Sequence, residues 1–201
     1  VTKIIWDAPG TRQFTIGVDR VVFYPQAGPG IAWNGVVSIK ESVANQGQSV
    51  MYVDGQRQIT QLNLGEFGAT IEAFTYPDAM LPYDGYSDGK SGQRRKYFNL
   101  AYRTLKGSDT KGPDQGYRLH LVYNCILEPT ARDNLSNGGN DSAMMFSWQL
   151  STTPMAMPYD RPSSHFIIDS ELVPTIVLST IEDILYGTPV TLPAFLTIDG
   201  L

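Results

Sequence analysis

Apolar and polar residues alternate along much of this chain, and turn residues cut the alternation into short segments. Over residues 66–76, Phe67, Ala69, Ile71 and Ala73 recur at period two, with Thr70 and Glu72 between them. That is the pattern of a strand with one face in a core and the other in water. Residues 97–104 repeat it with Phe98, Leu100 and Tyr102 inward. Residues 117–127 place Leu119, Leu121, Tyr123 and Cys125 on one face, and residues 143–151 do the same for Met144, Phe146, Trp148 and Leu150, so these two read as paired central strands. Upstream, strands are expected at 12–17 and 20–24, the second ended by Pro25 and the loop Gln26-Ala27-Gly28-Pro29-Gly30, and at 36–42. Residues 48–53 and 56–61 flank Asp54-Gly55, the dipeptide suited to the positive φ angles of a two-residue hairpin turn.

One segment changes period. Between Val173 and Tyr186, the residues Val177, Ile181, Ile184 and Leu185 recur at helical spacing, and Gly187 stands where a C-terminal cap belongs. Either Pro174 opens a longer helix, or Ser179, with Glu182 three positions on, opens a short one as a capping box. After Gly187 the apolar stretch 188–201, with Pro189 and Pro193, reads as an extended arm that needs another surface to pack on. Residues 1–11 form a second arm, and 77–96, rich in Tyr, Gly, Pro and Asp, a long loop ending in Arg94-Arg95-Lys96. Loops of that length in a compact domain usually have a task. The 19 glycines and 13 prolines punctuate at the spacing of sandwiches and barrels. The expectation is an all-β sandwich or barrel with one flanking helix near 174–186, built as one domain over the 201 residues.

Composition narrows the function classes. A net charge of −5 disfavours a basic nucleic-acid-binding surface. The single Cys125 leaves no intramolecular disulfide framework and no cysteine-based zinc site, and it reads as a small buried hydrophobe. The N-terminal apolar run is too short for a signal peptide and no stretch approaches a membrane span, so neither export nor anchoring is expected.

Candidate chemistry is sparse. His120 and His165 fall on separate expected strands with no acid at metal-ligand spacing, which favours a satisfied structural role. No nucleophile elbow, zinc-protease pair, phosphate loop or dinucleotide fingerprint occurs. Asn137-Gly138-Gly139-Asn140-Asp141 and residues 109–114 offer oxygens without the spacing of a calcium loop. Glu66, Glu72, Asp78, Asp84 and Asp88 are the carboxylates from which a glycosidase pair would have to come. No catalytic, cofactor or metal residue is assigned.

Several separated motifs do carry a resemblance. They are Val18-Asp19-Arg20 with Val22-Phe23-Tyr24-Pro25, Ala32-Trp33-Asn34-Gly35, Tyr52 with Asp54-Gly55, the run from Ala69 through Phe74-Thr75-Tyr76-Pro77-Asp78, and Tyr102-Arg103-Thr104. Further on come Gly116-Tyr117-Arg118-Leu119-His120-Leu121-Val122-Tyr123, Phe146-Ser147-Trp148 with Thr152-Thr153-Pro154, and Leu178 with Glu182-Asp183-Ile184-Leu185-Tyr186-Gly187-Thr188. In order along nearly the whole chain, this wording resembles the major tail proteins of long, non-contractile-tailed bacteriophages, most of all those of actinobacteria. Residues 43–48, 134–141 and Pro174 depart from the pattern and bear on local loop shape.

The resemblance implies a virion protein, assembled in the host cytoplasm, that forms hexameric rings stacked into a hollow tail tube. Genomic DNA would pass through the lumen without specific binding. The implied partners are further copies of itself and the tape measure, tail terminator and distal tail proteins, with no membrane, cofactor or small-molecule substrate and no enzyme activity. Expected subunit contacts are Tyr83, Tyr86, Arg94 and Arg95 in the long loop and Leu192 and Phe195 in the C-terminal arm. The alternatives are a related tube, neck or secretion-tube component, or a carbohydrate-binding β-sandwich using the tyrosines of residues 76–97.

Overall fold

A computed structural model describes residues 3–44, 48–53, 56–62, 66–86, 89–128, 130, 143–157 and 160–197. The strands are β1 (Gln13–Pro25), β2 (Ile31–Ala32), β3 (Val36–Ala44), β4 (Gln48–Val53), β5 (Gln56–Leu62), β6 (Glu66–Ala73), β7 (Phe98–Ser108), β8 (Gly112–Glu128), β9 (Phe146–Thr152), β10 (Met155–Met157), β11 (Asp160–Ser163) and β12 (His165–Asp169). One helix follows, α1 (Thr175–Tyr186). The fold is all-β, with a single flanking α-helix among the described residues.

The main sheet is antiparallel in the order β2-β1-β7-β8-β9-β6-β3, and β12 pairs with β8. The sheet curls until its ends approach: the Trp33 amide donates to the Val21 carbonyl at 2.8 Å, and β1 touches β3. Inside the curl lie Phe23, Trp33, Ile71, Phe98, Leu100, Tyr102, Val122, Cys125, Trp148 and Leu150. Phe67, Ala69, Ile71 and Ala73 all belong to this inner layer, as the alternation of β6 predicts. Trp148 and Leu150 of β9 are there as well, whereas Met144 lies before the strand and is 40% exposed.

Bulges in two strands change what simple alternation predicts. In place of separate strands at 12–17 and 20–24 the chain makes one strand, β1, with register shifts after Thr15 and after Asp19, the second around Arg20 at φ 48°. The extra residue of a bulge is accommodated without ending the strand and swaps the face of everything beyond it. Asn124, at φ 49°, does the same in β8. Leu119, Leu121 and Tyr123 therefore face outward toward the helix, while Cys125, expected beside them, points into the curl with Val122.

Helix α1 starts at Thr175 after Pro174, which settles its beginning in favour of the longer option. Leu185 and Ile181 lie against the outer face of β1, β7, β8 and β12, with Val22, Tyr24, Ala101, Leu119, Leu121, Phe166 and Ile168. The segment after Gly187 packs on this same face: Phe195 meets the rings of Tyr24 and Tyr123 at centroid distances of 4.9 and 4.8 Å, and Leu196 is buried. As far as it is described, the surface this arm finds is its own sheet.

The long loop is partly structured too. Residues 78–80 make a 3-10 turn, and Met80 and Tyr83 enter the inner core, where Tyr83 packs edge-on to Phe23 at 5.1 Å. Strands β4 and β5 pair with each other as expected, and among the described residues with nothing else in the sheet. The intervening Asp54-Gly55 lies outside the described residues, as do 134–141 and Asp88. No helix among the described residues is long and apolar enough to cross a membrane.

Candidate functional site

The inner layer is mostly apolar, and the group of titratable side chains that meets on it is drawn from β3, β8 and β12. Glu41 of β3, His120 of β8 and His165 of β12 bring one ligand atom each to within 4.8 Å of one another. His120 faces inward because it alternates with Leu119 and Leu121, and His165 lies opposite Val122 in the pairing of β12 with β8. His120 Nδ1 lies 3.0 Å from His165 Nε2 and 3.4 Å from Glu41 Oε1. On the other side of the ring, Thr104 Oγ1 is 2.9 Å from His120 Nε2. The Tyr102 hydroxyl donates to Glu41 Oε1 at 2.7 Å.

Aromatic rings fix these groups. Tyr102 stacks on His120 at 4.5 Å with an 11° interplanar angle, and Phe67 lies 4.1 Å from His165. The two imidazoles are within 18° of parallel, and their centroids are 5.2 Å apart. With facing nitrogens 3.0 Å apart, that describes rings meeting edge to edge through a hydrogen bond rather than a face-to-face stack. Burial pushes the His120 imidazole down to about 4, against the opposing pull of Glu41, and lowers His165 for the same reason. Both rings are neutral at pH 7. His165 also lines an open cleft of about 230 Å³ with Glu66, Phe67, Pro154, Pro162, Ser163 and Ser164. Hydroxyl, imidazole and carboxylate in this order also describe a hydrolytic triad. Here, however, His120 is buried and its Nδ1 shares a hydrogen bond with a second imidazole, beside the Glu41 carboxylate.

A second feature is the apolar surface. On α1 and the turn before it, Leu172 is 84% exposed and Ile176 78%, with Val177 and Ile184 beside a groove of about 380 Å³ that Ile168, Val173 and Leu196 also line. Ile4, Ile5 and Trp6 are exposed in succession, and so are Val190 and Leu192. Scattered exposed aliphatics are ordinary, but runs of them on a helix face and on both terminal segments mark contact surface.

The six expected contact residues divide. Arg94 and Leu192 are exposed, and Tyr86 and Arg95 half-buried. Tyr83 is buried in the core, and Phe195 is half-buried against the chain's own tyrosines. Of the carboxylates singled out for glycosidase chemistry, Glu72 accepts from Ser38 and Lys40 at 2.8 Å each, and buried Asp84 accepts from Trp148 Nε1 at 3.3 Å.

No protein-family model matches the chain, and no curated protein matches it. Function therefore has to be argued from these surfaces and from the resemblance.

Reading by spacing along one strand missed the Glu41–His120–His165 cluster, because its members come from strands far apart in the sequence, two of them paired and the third reaching across the curl. The available signal was facing: a histidine that alternates with core leucines on a central strand must find its partner inside.

Proposed function

We propose that the protein is a structural subunit of the tail tube of a long, non-contractile-tailed bacteriophage, self-assembling into stacked hexameric rings through which genomic DNA leaves. The observation that carries the reading is where apolar surface is left over. A closed, well-filled body presents exposed apolar residues on its helix, on Ile4-Ile5-Trp6 and at Val190 and Leu192, together with a β4–β5 ribbon outside the main sheet. Surfaces of different shape on one chain suit heterologous contacts, which close into rings or propagate as stacks. A ribbon with no further strand beside it among the described residues offers edges for strand addition.

Charge agrees with the role. Six copies at −5 each give a ring of about −30, and acids on its inner wall would repel DNA phosphates and let the duplex slide. The partners on this reading are its own copies and the tape measure, tail terminator and distal tail proteins, and its place is the virion.

Negative-stain electron microscopy over a concentration series tests it. Hollow tubes with a regular axial repeat are expected. A chain that stays monomeric at all concentrations, both alone and with a tail-tip extract added as nucleus, refutes the proposal.

A further inference from the structure

We propose that Glu41, His120 and His165 bind one divalent transition-metal ion, with zinc the best match, and that the ion ties β3 to β8 and β12. This does not depend on the tube reading.

Geometry comes first. Zinc holds nitrogen and oxygen ligands at about 2.0–2.1 Å, so tetrahedral ligand atoms lie about 3.3 Å apart. The separation of His120 Nδ1 from Glu41 Oε1 is 3.4 Å, and that from His165 Nε2 is 3.0 Å. The third edge, from Glu41 to His165, lies within 4.8 Å. Glu41 can shorten it, since its side chain is 39% exposed and sits on the edge strand β3.

The supporting groups aim the ligands. Thr104 Oγ1 takes up Nε2 of His120 and leaves Nδ1 for the ion, while Tyr102 orients the carboxylate by its hydroxyl. Such outer partners set the tautomer and direction of metal ligands. When the ion enters, the proton held between the two rings moves to His165 Nδ1, and both imidazoles coordinate in their neutral form. The cleft beside His165 supplies an entry path and room for water as a fourth ligand. Two imidazoles and one carboxylate favour zinc, cobalt or similar ions over calcium and magnesium, which prefer oxygen alone.

The consequence is mechanical. The ion would cross-link the edge strand β3 to the paired strands β8 and β12 at a polar spot of the interior. By mass action, zinc at 100 times its dissociation constant raises the folding equilibrium constant about 100-fold.

The test uses the full chain without a polyhistidine tag, stripped with a chelator and dialysed. Zinc is titrated by calorimetry, and cobalt by its visible absorption, which reports a low-symmetry nitrogen and oxygen site. One ion per chain is expected, with a melting temperature that rises with zinc and falls back on chelation. Glu41→Gln and His165→Gln each keep side-chain volume at partly exposed positions, and circular dichroism of the metal-free variants checks their folds. Each should weaken zinc binding at least about 10-fold and abolish the shift in melting temperature. Absence of a one-to-one site, or an affinity unchanged in a folded variant of either residue, overturns the proposal.

Discussion

Two tyrosine hydroxyls fasten the C-terminal part of the chain to the sheet, and their removal should be measurable. In α1 the Leu185 carbonyl would ordinarily accept from the amide four residues on, but that residue is Pro189, which has no N–H. The Tyr24 hydroxyl takes the place of the missing donor at 2.7 Å. The preceding carbonyl, of Ile184, is met by the Ala194 amide at 2.8 Å, and the Tyr123 hydroxyl reaches the Leu196 carbonyl at 3.1 Å. Tyr24 and Tyr123 are 2% and 3% exposed, so water does not replace a lost partner easily. A buried acceptor left unpaired costs about 1–3 kcal/mol, and an ordinary net hydrogen bond is worth about 0.5–1.5 kcal/mol. Tyr24→Phe, with the shorter bond to a helix carbonyl that has no alternative donor in the helix, should cost about 2 kcal/mol. Tyr123→Phe should cost about 1 kcal/mol. Both rings touch Phe195, so if the arm lets go as a unit the double variant will lose less than the sum. Urea unfolding with a common slope gives the three free energies, and hydrogen exchange at the Ala194 amide reports the arm directly. A loss below about 0.5 kcal/mol for Tyr24→Phe, with exchange at Ala194 unchanged, would refute the reasoning.

Alkaline pH should unfold the protein through its buried phenols. Burial raises Tyr123 and Tyr186 to about 12, and Tyr24 and Tyr102 beyond that range, against about 10 in an unfolded chain. A folded pKa above the unfolded one means stability is intact below pH ~10 and falls as pH rises toward ~12. Phenolate absorbance from these four should thus appear together with loss of the near-ultraviolet dichroism, and a separate earlier titration would contradict it. Arg103→Lys should destabilise by about 1–2 kcal/mol in thermal or urea unfolding, because a lysine cannot reproduce the fork to Asp19 at 2.9 and 2.6 Å nor the stacking 4.4 Å over Tyr117. At the β8 bulge, Asn124→Val should cost about 2 kcal/mol, since φ 49° is poorly tolerated by a branched side chain, while Asn124→Gly should retain most of the stability. Equal losses for the two substitutions would show that the conformation at this position is not what matters.

What could be read from the chain follows what local patterns encode. Period two placed β6, β7 and β9 and their inner residues, because a half-buried strand must alternate. Helical spacing and Gly187 placed α1, and a flanking Pro174 is compatible with a helix whose first amides need no partner. Cys125 went to the wrong face because one residue in a positive φ conformation at Asn124 inverts the alternation, and Asn marks such a position only weakly. The split expected in β1 fails for the same reason at Arg20, where nothing in the residue type announces a bulge. Tyr83 looked like an exposed aromatic because it stands in a loop, yet an aromatic ring in a loop is as able as one in a strand to fill a gap in the core. The meeting of Glu41 with the two histidines depends on how the sheet curls, which no local pattern contains.

The bulge at Asn124 also explains why the polar spot exists. Below it, β8 pairs with β12; above it, β8 pairs with β9, so the sheet forks there. The fork is knitted by Thr152, whose hydroxyl lies 2.7 Å from Ser164 Oγ and donates to the Phe67 carbonyl at 2.7 Å, and by the Tyr123 amide on the Ser164 carbonyl. A continuous β9 would have run past His120 and covered it with an apolar neighbour. Because β12 takes that place instead, it brings His165 against His120 on the inner face while Phe166 and Ile168 turn outward to the helix. One strand thus completes both layers. The helix proposed for subunit contact and the cluster proposed to bind a metal ion therefore lie on opposite faces of the same short strand.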